Sequence, residues 1–185
     1  MLNVAAFANY EGKQLALQTL EKWTEKGKII LRDSVKESVF LTGPYGTGKT
    51  HLATAAFREV FLRDVPGLWV KWYDFIRNVQ STYGRSQGQN SRKNLGDILT
   101  RYKKTRLLLL DDIGNDDGEL VTPDQRRLLY ELLDYRNDNR LPTLMTSNLS
   151  IDEFSNQFGR RTTDRLVEMA AIVEMGGRNF RLPGG

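Results

Sequence analysis

At 185 residues, with 39% apolar and 27% charged, the chain suits one domain with a real hydrophobic core and leaves little room for two. No apolar run nears bilayer-spanning length, Met1 to Tyr10 has no signal-peptide layout, and the absence of cysteine excludes disulfides and thiolate metal sites. The net charge of +4 permits contact with nucleic acid without demanding it, so a soluble, cytoplasmic protein with no membrane contact is expected.

In chain order, Glu11 to Lys26 reads as a helix on the spacing of Leu15, Ala16, Leu20 and Trp23, stopped by Gly27. Val39 to Thr42 is a short strand that breaks into a glycine-rich turn. A helix follows over Thr50 to Arg63, with Leu52, Ala56, Val60 and Phe61 on one face. Leu68 to Tyr73 reads as a strand, Phe75 to Tyr83 as a short helix, and Gly84 to Asn94 as a mobile loop. The four leucines Leu107 to Leu110 suit a strand buried on both faces of a parallel sheet. Thr122-Pro123-Asp124-Gln125 and Ser150-Ile151-Asp152-Glu153 are capping-box helix starts, with Leu128, Leu129, Leu132 and Leu133 on the first helix's buried face. Leu141 to Ser147 and Ala171 to Met175 complete the strands. This alternation predicts a doubly wound parallel sheet, five strands being the expected count, in one domain: an entry segment and helix over 1–38 and a core over 39–181. The three tryptophans, Trp23, Trp69 and Trp72, read as packing.

The most specific signal is Gly43-Pro44-Tyr45-Gly46-Thr47-Gly48-Lys49-Thr50, which matches G-x-x-x-x-G-K-[ST] throughout. Glycines let backbone N–H groups converge on phosphates, and the following helix offers its positive end. Lys49 would reach the β- and γ-phosphates of ATP, and the Thr50 hydroxyl would ligate Mg²⁺. His51 continues the nucleotide-binding segment and suits packing or capping better than catalysis. Asp111, ending the leucine strand, would hold the Mg²⁺ shell, and Asp112 would polarise the attacking water. Alone, the pair could be an acidic turn; the P-loop upstream argues for the metal role. Asn148, after the next strand, would orient water near the γ-phosphate, although an Asn often simply ends a strand. Arg160-Arg161-Thr162-Thr163-Asp164-Arg165 could send an arginine into a neighbour's site or form a solvated helix face, with a salt bridge to Asp164.

Gly43 to Ala53, the strand ending Asp111-Asp112-Ile113-Gly114, Thr146-Ser147-Asn148 and Asp164-Arg165-Leu166 together resemble the DnaC/IstB-like branch of AAA+ ATPases, over roughly Phe7 to Arg181. The resemblance implies an AAA+ P-loop fold, hydrolysis of ATP at subunit interfaces, and work as a replicative helicase loader or a transposase helper. It implies that Arg165 is the arginine finger, with Arg161 next, and that Arg181 or Arg178 approaches the nucleotide as a sensor. In initiators and loaders the region between the second strand and the leucine strand lines the path of single-stranded DNA. Here that region holds Arg85, Arg92, Lys93, Arg101, Lys103 and Lys104, interleaved with Tyr83 and Tyr102, which suits phosphate tracking and base stacking. Two departures stand out: little sequence precedes Gly43 for gripping a helicase, and no helical lid follows the core. The reading is an ATPase that self-associates on single-stranded DNA and loads a replicative helicase. The alternatives are an IstB-like helper of a transposase and a small-molecule P-loop kinase.

Overall fold

The leucine run Leu107 to Leu110 divides its side chains between two cores: Leu107 and Leu109 join one, Leu108 and Leu110 the other. Successive strand residues point to opposite faces, so a run apolar at every position needs packing on both. A computed structural model of the chain describes residues 14–26, 29–31, 34–81, 98–114, 120–176 and 180. Within it, β3 (Ser38–Thr42), β4 (Gly67–Lys71), β5 (Leu107–Ile113), β6 (Thr143–Ser147) and β7 (Ala170–Glu174) form one sheet. All neighbours in it are parallel, in the order β4-β5-β6-β3-β7. A separate antiparallel hairpin pairs β1 (Ile29–Leu31) with β2 (Ser34–Lys36).

Helices cover both faces. On one lie α1 (Gln14–Lys26), through Ala16, Leu20 and Trp23, and α2 (Lys49–Phe61), through Leu52, Ala53, Ala56 and Phe57. On the other lie α3 (Trp72–Gln80), a helical stretch over 98–104 (α4), α5 (Pro123–Asp138), α6 (Ile151–Phe158) and α7 (Arg160–Met169). The sheet is the expected doubly wound, five-stranded one. Both capping boxes form: Thr122 and Ser150 each accept the N–H three residues on, and Gln125 and Glu153 return the bond. No described helix is long and apolar enough to cross a membrane.

Several boundaries move. The expected strand to Tyr73 ends at Lys71, because Trp72 opens α3, stacks with Phe75 and meets Phe158 edge-on in the core. Leu15 is 60% exposed, so of the four expected residues only Ala16, Leu20 and Trp23 are buried in α1. Phe61, 45% exposed, falls outside the stripe of α2. Tyr102 is not available for base stacking: its ring meets Phe75 edge-on and its hydroxyl accepts from Asn78. The loop expected over Gly84 to Asn94 lies outside the described residues. The hairpin and α4 have no counterpart among the expected elements, and α7 is the helix that the Arg160 to Arg165 cluster allowed.

Arg136 of α5 is fully buried without a carboxylate partner among its hydrogen bonds. Its guanidinium donates to the carbonyls of Tyr102, Lys103 and Thr105 at the C-terminal end of α4, to Pro142 O, and to Thr143 Oγ1. Burial pushes its pKa down to about 9, still above neutrality. The charge therefore persists and answers the negative end of α4, fixing that helix to the start of β6.

Candidate nucleotide site

The sheet order sets β5, β6 and β3 side by side, so three loops leave their C-terminal ends together, where open α/β sheets bind ligands. The loop after β3 is the glycine-rich segment. Gly43, Gly46 and Gly48 all have positive φ, at 131°, 78° and 88°. At Gly43 a side chain is impossible: an added Cβ would lie 1.9 Å from the Met175 carbonyl oxygen. That close approach follows from β7 running beside β3, where the Met175 N–H donates to Thr42 O at 2.6 Å. Further on, the Phe180 N–H donates to Gly46 O at 3.0 Å, so the segment after β7 braces the loop. Tyr45 sits exposed on the loop's rim and His51 is half-buried on α2.

Unlike α5 and α6, α2 begins without a side-chain cap and without an acidic residue in its first turn. Its N-cap is Gly48, which has no side chain, and a helix start following a glycine-rich loop suits an anion. Lys49 is nearly buried, and its ammonium donates to the carbonyls of Gly43 at 2.6 Å and Pro44 at 2.7 Å. Thr47 Oγ1 also donates to Pro44 O, tightening the same turn.

The second part of the site is a bulge in β5. Leu110 pairs with Met145 and Ile113 with Ser147, so Asp111 and Asp112 together face the single residue Thr146. Asp112 takes the left-handed conformation, φ 63°, tolerated by Asp better than by most residues. Asp111, 1% exposed, accepts from Thr50 Oγ1 at 2.9 Å and from Thr146 Oγ1 at 2.7 Å. The Asp112 N–H donates to Thr146 Oγ1 at 2.8 Å, and its carboxylate accepts from Asn148 Nδ2 at 2.7 Å. The turn carrying Asn148 is fastened from both sides. Ser147 Oγ donates to Ile113 O and accepts from the Leu149 N–H, while Thr42 Oγ1 donates to Leu149 O. Sequence reasoning had assigned no part to Thr42, Thr146 or Ser147; three hydroxyl residues ending adjacent strands were the available signal.

The two hard oxygens of Thr50 and Asp111, beside a phosphate-type loop, are the donor set that Mg²⁺ takes with few protein ligands. No group of three or more His, Asp or Glu side chains gathers among the described residues.

The arginines of α7 are engaged within their own chain. Arg165 pairs with Asp134 of α5 at 2.7 Å and with Glu168 at 2.8 Å, and hydrogen bonds to Glu168 and Tyr130 raise its pKa. Arg161 lies over the Tyr130 ring, and the bridge to Asp164 comes from Arg160, at 3.9 Å. Of the basic stretch, Arg101 and Lys104 are exposed and Lys103 pairs with Glu131. Arg85, Arg92, Lys93, Tyr83, Arg178 and Arg181 lie outside the described residues.

Residues 30–184 match the model of the IstB-like ATP-binding proteins. The putative ATP-binding protein of insertion sequence IS232 from Bacillus thuringiensis subsp. berliner is 27% identical over 152 residues, 80% of this chain and 56% of that one. The replicative helicase loader DnaC of Escherichia coli K12 is 27% identical over 165 residues, 87% of this chain and 62% of that one. This chain thus spans less than two thirds of either relative's length. The crystal structure of DnaI superposes with a TM-score of 0.71 at 25% identity, covering 97% of this chain and 92% of that one.

Proposed function

The chain belongs to the IstB-like ATP-binding proteins and has the AAA+ P-loop fold, and from that premise we propose that it hydrolyses ATP·Mg²⁺ between subunits assembled on single-stranded DNA, as a loader of a replicative helicase. One observation carries the hydrolysis: the continuous run of bonds Thr50–Asp111–Thr146–Asp112–Asn148 beside an uncapped helix start. Thr50 and Asp111 would hold Mg²⁺, which, when bound, neutralises charge on the β- and γ-phosphates. Lys49 would exchange its two loop carbonyls for phosphate oxygens. Asp112, aimed by Asn148, would take the proton of the attacking water.

Arg165 would complete a neighbour's site. Its pair with the exposed Glu168 is of the kind that contributes about 0–1 kcal/mol, whereas its pair with Asp134 is half-buried. Reaching a γ-phosphate would mean exchanging both. The DNA-binding residues would include Arg85, Arg92 and Lys93, and the protein would work in the cytoplasm. The IS232 relative, as similar as DnaC at 27% identity, supports a second reading, a transposase helper assembled on duplex DNA.

The test is ATP turnover per subunit against protein concentration, alone and with single- or double-stranded DNA. Turnover that rises with concentration, and again with single strands, is expected. Stimulation by duplex alone favours the transposase helper, and a flat rate sinks the shared site. In the rising case, Arg165→Ala mixed into wild type lowers the rate by more than dilution.

A further inference from the structure

Resting on the reading that Asp111 and Asp112 serve ATP hydrolysis, we infer that Thr146 is a positioning residue whose single hydroxyl fixes both carboxylates. A hydroxyl has one proton and two lone pairs. In Thr146 the proton goes to Asp111 Oδ1 at 2.7 Å, and a lone pair takes the Asp112 N–H at 2.8 Å. The residue is 1% exposed, so water cannot replace either bond cheaply.

The bulge explains why one residue does both tasks. Two β5 residues face one β6 residue, and the extra residue of a bulge loses its regular ladder partner. The Thr146 hydroxyl supplies that partner. It holds Asp112 in its left-handed conformation, and thereby its carboxylate on Asn148. On the other side, Asp111 has two hydroxyl donors, Thr50 and Thr146. Thr50 sits in the first turn of α2, beside the loop that would meet phosphate, and would itself ligate the metal, so its bond to Asp111 is exchangeable. Thr146 is the donor that keeps Asp111 aimed when Thr50 turns away. Without it, the metal carboxylate and the water-activating carboxylate lose their common reference, although the phosphate loop is untouched.

The inference is tested with Thr146→Val, which keeps the shape and strand preference of Thr and removes only the hydroxyl, and with Thr146→Ser, which keeps the hydroxyl. Binding of a fluorescent ATP analogue in EDTA reports the phosphate loop, a Mg²⁺ titration of turnover reports Asp111, and amide exchange at Asp112 reports the bulge. Thr146→Val is expected to bind the analogue in EDTA like wild type. Its half-saturating Mg²⁺ rises and its kcat falls by about ten-fold or more each, as for loss of a partner behind a metal ligand. Exchange at Asp112 accelerates about ten-fold or more in the nucleotide-free protein, and Thr146→Ser restores all three readouts to within about three-fold. If Thr146→Val does not fold, Thr146→Ala is read in the same way. A hydroxyl-free variant with wild-type Mg²⁺ dependence, kcat and Asp112 exchange overturns the inference, as does Thr146→Ser failing like Thr146→Val. A wild-type chain without Mg²⁺-dependent turnover overturns the hydrolysis reading instead; Asp112 exchange then judges the positioning role alone.

Discussion

Lys49 donates to the carbonyls of Gly43 and Pro44. In the proposed reading the ammonium would exchange these acceptors for phosphate oxygens. Lys49→Ala removes a nearly buried charge from that turn and should weaken ATP binding by about 100-fold or more, the cost of truncating one side of a buried charged contact. Asp112→Asn, by contrast, should leave binding within a few-fold and slow hydrolysis by about 100-fold or more, as for loss of a general base. Equilibrium binding beside single-turnover hydrolysis checks both, and wild-type binding by Lys49→Ala would remove it from the phosphate site. Legibility at this scale followed locality. The P-loop, Asp111, Asp112 and Asn148 could be picked out as one candidate site because short motifs carry their own chemistry. Thr146 was not, because its importance comes from a register shift between two strands, and spacing along one strand is blind to that.

At the scale of elements the same division holds. The starts of α5 and α6 were legible because Thr122 with Gln125, and Ser150 with Glu153, each close a bond pattern within four residues. The start of α3 at Trp72 was not, since an aromatic run suits a strand equally well until Phe158 arrives from α6 to pack on it. Arg136 is the clearest case: a helix arginine reads as surface, and only the meeting of α4, α5 and β6 makes it a buried junction. Its three nitrogens satisfy five acceptors, a fork that lysine's single nitrogen cannot reproduce. Arg136→Lys should therefore keep the charge yet lower stability by about 2–3 kcal/mol, through carbonyls left unpaired. Denaturant unfolding measures this. A loss below about 0.5 kcal/mol would mean that the junction relaxes around the shorter side chain, as surface sites do.

For the whole molecule, the two hydrophobic clusters lie on opposite faces of one sheet and share β3, β5, β6 and β7. Neither can come apart while the other keeps those strands together. Leu52→Ala, on the α2 face, and Leu129→Ala, on the α5 face, should each cost about 2–5 kcal/mol. Each should shift one common transition, with tryptophan fluorescence and far-ultraviolet circular dichroism giving the same midpoint. Separate midpoints would mean that the faces melt independently. The doubly wound plan was legible because strand-and-helix alternation admits few parallel arrangements. The strand order was not, because nothing in a strand's sequence names its neighbour.

That order also decides when the phosphate loop is made. Ser38 pairs with Ala170 and Thr42 with Glu174, and Gly43 rests on the carbonyl of Met175. The phosphate-loop motif thus gets its final support from a strand that lies far downstream of it in the sequence. Contacts this distant in sequence form slowly and late in folding. On the ribosome the loop's own residues emerge well before the strand that braces them. Full bracing of the nucleotide loop accordingly waits for β7, and ATP in the cell meets a nascent protein that lacks it until that strand has emerged.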